Sequence, residues 1–196
     1  MITRRAALFT LFCLMFASTT VAAPTRYRLD KEASRVGFTY RISNTDQSGT
    51  MPIQSADIVV DPQNLALASV DIVLSAAGVR TPMFLATQAL TGSEILDMAR
   101  YPTIRFVSTK VTLTQDGRLS GGAFITGRLT LRDVTRSVQL KADFYRQPGS
   151  ARDDFSQLTV RLSGQLDRFD YGASGYTKMV GNTIKLNISV LINAEK

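Results

Sequence analysis

The 196-residue sequence has no histidine. This removes the usual general base, the commonest metal ligand and the third member of most hydrolytic triads. The only cysteine, Cys13, lies in an apolar run near the amino terminus, preceded by Leu11-Phe12 rather than by the small residues expected before a lipoprotein cysteine. If that run is cleaved away, the remaining chain has no disulfide and no thiolate nucleophile. It must then be held by its core alone. A serine nucleophile has little support either. Gly172-Ala173-Ser174-Gly175 is followed by Tyr176 where a G-x-S-x-G elbow needs glycine, and no lysine follows a serine at the S-x-x-K spacing.

Carboxylate pairs are the remaining route to acid–base or cation chemistry: Asp153-Asp154, Asp167 with Asp170, and Glu94 with Asp97. The first sits in a polar segment, Pro148 to Gln157, that reads as a solvated loop. The other two flank Arg168 and Arg100, which predicts surface ion pairs. The sequence therefore predicts no catalytic residue, metal site or cofactor, and a protein that is not an enzyme.

At the amino terminus, Arg4 and Arg5 precede an apolar run from Ala6 to Ala17 and then the small residues Ser18-Thr19-Thr20-Val21-Ala22-Ala23. This is the order of a secretory signal peptide, and the run is shorter than the ~20 residues a membrane span needs. Residues 1–23 are read as the signal and residues 24–196 as one exported, periplasmic domain, beginning at Ala23 or Pro24. The signal removes two of the 23 basic residues and none of the 16 acidic ones, so the mature charge is 21 minus 16, or +5. The basic residues are scattered without a run of three. They read as a solvated surface rather than a nucleic-acid site.

What the mature chain has in abundance is period-two alternation, the mark of strands with one wet face and one apolar face. Val36, Phe38, Tyr40 and Ile42 form one row; Val138, Leu140, Ala142 and Phe144 another; Leu158, Val160 and Leu162 a third; Ile184 to Ile192 a fourth. Further strands are expected at Ala56 to Val60, Val70 to Ala76, Ile104 to Leu113 and Ala123 to Leu131. Asp61-Pro62, Asp116-Gly117 and Gly121-Gly122 separate some of them. About eight or nine strands in one domain point to a sandwich or a closed barrel.

Only residues 82 to 98 break this rhythm, with a composition that suits helix. Gly92 is expected to divide them into two short helices, Ser93 capping the second. Pro102 biases Tyr101 away from helical geometry, so the next strand starts at once. Met83, Phe84, Leu85, Leu90, Ile95 and Leu96 give the segment an apolar side. Such a side suits a plug for the core and a lid over a ligand equally well.

Four features together resemble the YceI family of secreted, lipocalin-like proteins. Tyr27-Arg28-Leu29-Asp30 with Ser34, Val36 and Phe38 is similar to the family's first strands. Thr81, Leu90, the Tyr101-Pro102 joint and Phe106 to Ser108 recur at its spacing. Gly127-Arg128-Leu129-Thr130-Leu131-Arg132-Asp133-Val134-Thr135 resembles its G-x-L-T-L-x-G-V-T stretch, with Asp133 at the usual glycine. Asp167-Arg168-Phe169-Asp170-Tyr171-Gly172 resembles its R-x-D-F/Y-G element. The resemblance implies an extended antiparallel β-barrel of about eight strands, a helical segment near its opening, and an enclosed amphipathic lipid such as a polyisoprenoid or isoprenoid quinone. The chain departs from the pattern where Ala33 replaces a histidine and where Ala86-Thr87-Gln88-Ala89-Leu90 replaces R-D-x-H-L.

On this reading Phe38, Tyr40, Phe106, Leu129, Leu131, Phe144 and Ile188 are the cavity wall, and Phe84, Leu85 and Leu90 the lid. Thr87, Gln88 and Tyr171 are the expected polar contacts near the ligand's head. Binding would remove apolar surface from water at roughly 25 cal/mol per Å². The alternative is a structural or interaction protein of the same fold, with a reduced cavity and a membrane-associated partner. Reductant and chelator are expected to leave the melting temperature of the purified mature protein unchanged. A drop of several degrees in EDTA would bring the carboxylate pairs back as a cation site.

Overall fold

Each alternating segment forms a strand, because a one-sided apolar row is buried most completely when the sheet curls round and meets itself. The computed structural model describes residues 24–61, 64–114 and 121–195. The expected signal segment, Cys13 and the Asp116-Gly117 turn lie outside them. Nine strands follow in order: β1 (Thr25–Ile42), β2 (Thr45–Met51), β3 (Ile53–Val60), β4 (Ser69–Ser75), β5 (Thr103–Leu113), β6 (Ala123–Leu131), β7 (Val134–Arg146), β8 (Gln157–Asp167) and β9 (Thr183–Ala194). One helix, α1 (Phe84–Thr91), lies between β4 and β5.

All neighbours are antiparallel, in the order β2-β1-β3-β4-β5-β6-β7-β8-β9, and β1 also pairs with β9. The sheet is therefore closed. Strands β2 and β3 are halves of one stave: β2 pairs with the end of β1 and β3 with its beginning, and Pro52, which has no N–H for the ladder, stands between them. The result is the eight-stranded barrel that the resemblance implies, one of the two architectures left open by the strand count.

The inward row changes phase at three bulges. In β1, Tyr27 and Leu29 are followed by Val36, Phe38 and Tyr40, because the four residues between Asp30 and Arg35 face only the one residue of β9 between Leu191 and Ser189. Asp30 Oδ1 accepts from the N–H groups of Glu32 and Ala33 at 3.1 and 3.0 Å, and Ser34 Oγ accepts from Leu191 N–H at 3.0 Å. In β5 the shift lies between Ser108 and Lys110, so Phe106 and Val111 share the inner face. There Ser108 Oγ accepts from Val70 N–H at 2.8 Å. A third shift separates Ile53 from Ser55 in β3. At two of these bulges a serine hydroxyl serves an amide of the adjoining strand.

Strand β2 has no apolar alternation to announce it. It forms because Ser43 and Asn44, at φ 45° and 70°, make a two-residue turn that folds the chain back on β1. The second expected helix does not form: after Gly92 the chain runs through turns. Ile95 and Asp97 N–H both donate to the Gly92 carbonyl, at 3.2 and 2.8 Å, and Asp97 is left-handed at φ 49°. Consecutive Ile95 and Leu96 are both buried at the barrel end, and a helix would turn their side chains about 100° apart. The Tyr101-Pro102 joint does lead directly into β5, with the Pro102 carbonyl accepting from Ala76 N–H at 2.9 Å.

Buried side chains form two clusters. One includes Tyr27, Leu29, Leu65, Val111, Leu158 and Ile192; the other includes Met51, Val79, Ile95, Leu96, Tyr171 and Ala173. Phe144 packs against the first from the inner face of β7. Phe144→Asp is therefore expected to prevent folding or to cost about 3 kcal/mol or more, by placing an unpaired charge among apolar side chains. Denaturant unfolding of the variant measures this, and wild-type stability would contradict the register.

Candidate functional site

The inward rows do not meet at the barrel axis. They leave a cavity of about 250 Å³, lined from Leu65, Ala68 and Val111 towards one end to Leu90, Ile95 and Ala173 towards the other. Phe38, Tyr40, Phe106, Leu129, Leu131, Phe144 and Ile188 all line it, where the alternation places them.

Two glycines keep the lumen open. Phe38 faces Gly49 across the β1–β2 ladder, and a Cβ on Gly49 would lie 2.3 Å from the Phe38 ring. A Cβ on Gly127 would lie 2.4 Å from the Phe106 ring. Each ring thus lies flat on bare backbone rather than projecting across the barrel. The signal was in the sequence as phase, since Gly127 precedes Leu129 and Leu131 in one inward row.

Two segments cover one end of the barrel: residues 76–102, carrying α1, and residues 168–182, between β8 and β9. Gly175 N–H donates to the Glu94 carbonyl at 3.0 Å, joining them. Ile42 and Val180 form a bridge, and Thr50 and Arg80 exchange two backbone hydrogen bonds at 2.8 and 2.9 Å. Arg132, at φ 58° in the β6–β7 turn, reaches both segments, donating from Nη1 to the Gly172 carbonyl at 2.7 Å and the Ile95 carbonyl at 3.4 Å.

The lid residues divide. Leu90 lines the cavity, but Phe84 and Leu85 are 79% and 70% exposed and lie outside it. They stand at the amino-terminal end of α1, about 120° and 140° round the helix axis from Leu90, so the face that turns Leu90 inward turns them away. The expected polar contacts are also placed elsewhere. Thr87 Oγ1 bonds to Thr81, through its N–H at 3.1 Å and its hydroxyl at 3.0 Å, and Gln88 is exposed. Tyr171 is buried in the end cluster beside the cavity, its hydroxyl without a partner among the described residues. Burial raises its pKa, the Asp170 charge adds to this, and Arg136 opposes it. Burial likewise raises the pKa of Tyr40, against a hydrogen bond from the Thr81 side chain. Ala33 is exposed on the β1 bulge, away from the cavity lining.

Arg168 is the lining residue that residue-type reasoning misses, although it continues the inward row of Leu162, Gly164 and Leu166. It makes no ion pair among the described residues, contrary to the sequence expectation; it is 4% exposed. Its Nε donates to the Gly181 carbonyl and its Nη2 to the Val180 carbonyl, both at 3.0 Å, and its Nη1 to the Ala173 carbonyl. Burial lowers its pKa, partly offset by the Asp167 charge. The guanidinium thereby fastens the 173–181 return over the barrel. Asp167 instead accepts from Phe169 N–H at 2.9 Å and from the Asn182 amide. Arg100 does pair with Asp97, at 3.7 Å. No cluster of three or more potential metal ligands occurs among the described residues.

The model of the YceI-like domain matches residues 27–192. A protein YceI of Salmonella newport is 30% identical over 142 residues, 71% of each chain. Among solved structures, BcnA of Burkholderia cenocepacia superposes with a TM-score of 0.73 at 16% identity, over 84% of this chain and 99% of its own. A domain from Saccharophagus degradans, described as polyisoprenoid-binding, does so with a TM-score of 0.59 at 13% identity, over 86% and 98%. The chain belongs to the YceI-like domain family.

Gly49→Ala is expected to push the Phe38 ring into the lumen, since the three atoms nearest the new methyl all belong to that ring. Binding of a small apolar fluorophore such as N-phenylnaphthylamine should weaken about tenfold. The added change Phe38→Leu should restore it. Unchanged binding by Gly49→Ala would show that the ring has another place to go.

Proposed function

We propose that this YceI-like protein is a periplasmic, non-catalytic binding protein that sequesters or carries a long apolar or amphipathic lipid of the polyisoprenoid or isoprenoid quinone class. The observation that carries the reading is the cavity: its walls come from nearly every stave, its lining is apolar but for Arg168 and the hydroxyl of Tyr40, and that guanidinium is already bonded to backbone carbonyls. Such a space holds a hydrocarbon chain by excluding water from it and offers little to a polar solute. The description of a fold neighbour as a polyisoprenoid-binding domain supports the ligand class. The signal-like residues 1–23 support export to the periplasm.

A second reading is favoured by one number. The cavity, about 250 Å³, is smaller than the ~300–1,000 Å³ usual for ligand pockets. That suits a structural or interaction protein whose lumen has shrunk, or a carrier whose side-chain rows part around the chain.

Extraction of the purified protein with organic solvent, followed by mass spectrometry, separates the two. Near-stoichiometric isoprenoid lipid is expected, and Leu90→Lys should reduce it severalfold while the β-rich circular dichroism persists, because α1 contributes no hydrogen bond to the barrel ladders. Absence of lipid, together with no uptake of added isoprenoid, would favour the shrunken lumen.

A further inference from the structure

The chain leaves β8 through a 3₁₀ turn, Arg168–Tyr171, that is fixed at both ends. Asp167 Oδ1 accepts from Phe169 N–H at 2.9 Å at its start, and Gly172, left-handed at φ 70°, closes it by donating to the Phe169 carbonyl at 3.0 Å. Three residues per turn bring positions i and i+3 onto one side. Arg168 and Tyr171 are accordingly both buried, while Phe169 and Asp170 between them are exposed. Arg168 lines the cavity, and Tyr171 packs in the cluster that includes the lining residues Ile95, Leu96, Leu129 and Ala173.

Hydrogen-bonding groups on this side of the turn do not balance. The Ala173, Val180 and Gly181 carbonyls each already receive from the Arg168 guanidinium. A guanidinium has more N–H groups than these three bonds use, and its face rests on the Phe169 ring, with Cζ 4.7 Å from the ring centroid. What it has left is N–H at its edge. The Tyr171 hydroxyl is sealed from solvent and reaches no partner among the described residues. Burial raises its pKa, so it keeps its proton and remains a donor. The hydroxyl of Tyr40, also at the lumen, is engaged with Thr81. Neighbouring acids do not redress the balance: Asp167 accepts from Phe169 N–H and the Asn182 amide, Asp170 is exposed, and neither lines the cavity. Donors therefore exceed acceptors at the covered end, and a buried polar group left unpaired in a native fold calls for an explanation.

We infer that the Arg168–Tyr171 turn is the head-group site of the cavity, and that it takes an uncharged head presenting acceptor oxygens and no donor of its own, as the carbonyls of an oxidised quinone do, in preference to the corresponding quinol. A carbonyl oxygen brought to the turn gives the Tyr171 O–H the partner it lacks, beside a guanidinium with N–H to spare. A quinol brings O–H groups to an end where the backbone acceptors are already occupied, and one left unpaired in an apolar lumen weakens binding. An anionic head is not required, because the guanidinium charge is already spread over three carbonyls and the Phe169 ring. This inference deepens the lipid-binding reading and rests on it.

Equilibrium dialysis of the mature protein against a benzoquinone with a decyl tail tests it, with the quinol kept anaerobic in dithionite, decyl phosphate and N-phenylnaphthylamine as the comparisons. The wild type should bind the quinone about tenfold more tightly than the quinol, and more tightly than decyl phosphate. Tyr171→Phe should weaken the quinone about tenfold and leave N-phenylnaphthylamine, which has no acceptor oxygen, unchanged. Its melting temperature should be no lower than that of the wild type, since a sealed hydroxyl without a partner does not stabilise the fold. Undiminished quinone binding by Tyr171→Phe overturns the inference, and so does an equal loss of quinone and N-phenylnaphthylamine, which would make the ring a packing element only. Equal affinity for quinone and quinol, or tighter binding of decyl phosphate, overturns the assignment of an uncharged acceptor head. Binding of N-phenylnaphthylamine without preference among the heads removes this inference and leaves the lipid-binding reading standing; no binding of any probe removes both.

Discussion

The pairing of β1 with β9 is the constraint on which everything else depends. Without it the sheet would be an open strip with a row of apolar side chains facing water and two unpaired edges. With it, that row becomes the lining of an enclosed space. Strand β1 bears this alone, since it must satisfy β9 along one side and both β2 and β3 along the other. Its bulge between Asp30 and Arg35 lets it do so: three extra residues reverse the phase, so that both halves present apolar side chains inward. Ser34 and Asp30 make that irregularity chemically complete by accepting amide protons that would otherwise be unpaired.

Closure of eight staves leaves room at the axis, and the cavity persists because the largest wall side chains do not fill it. Phe38 and Phe106 lie over Gly49 and Gly127. Glycine here provides close approach rather than flexibility. The end cover is held by a different kind of bond. Arg168 reaches from the inner wall to three carbonyls of its own downstream chain, so the cation that appears out of place in an apolar lumen is the fastening of the segment above it. Its desolvation is offset by those charge-assisted hydrogen bonds.

The binding role proposed is supported by how few polar groups reach the lumen, and many apolar groups remain outside it at the covered end. Lumen and surface meet in the 76–102 and 168–182 segments, which contribute Leu90, Ile95 and Val180 to the cavity and Phe84, Leu85 and Met179 to the surface.

The sequence by itself determined the strands with strict alternation, the absence of histidine and of a thiol after the expected cleavage, and the inward direction of Phe38, Tyr40, Phe106, Leu129, Leu131, Phe144 and Ile188. Alternation is a local property, fixed by the two-residue period of extended backbone, so it is legible without knowing which strands are neighbours. What depends on neighbours was not legible. Strand β2 has no pattern of its own and exists because a left-handed Ser43-Asn44 turn lays it on β1. The expected second helix gives way to turns because Ile95 and Leu96 both have to be buried at the barrel end. Phe84 and Leu85 look like lid residues by type and lie outside, whereas Arg168 looks like a surface residue and lies inside, because burial is decided by which elements pack over a position and not by the side chain standing there. The glycines under Phe38 and Phe106 are the same lesson at atomic scale: residue type allows the close approach, and only the register of the closed sheet brings the ring over the bare backbone.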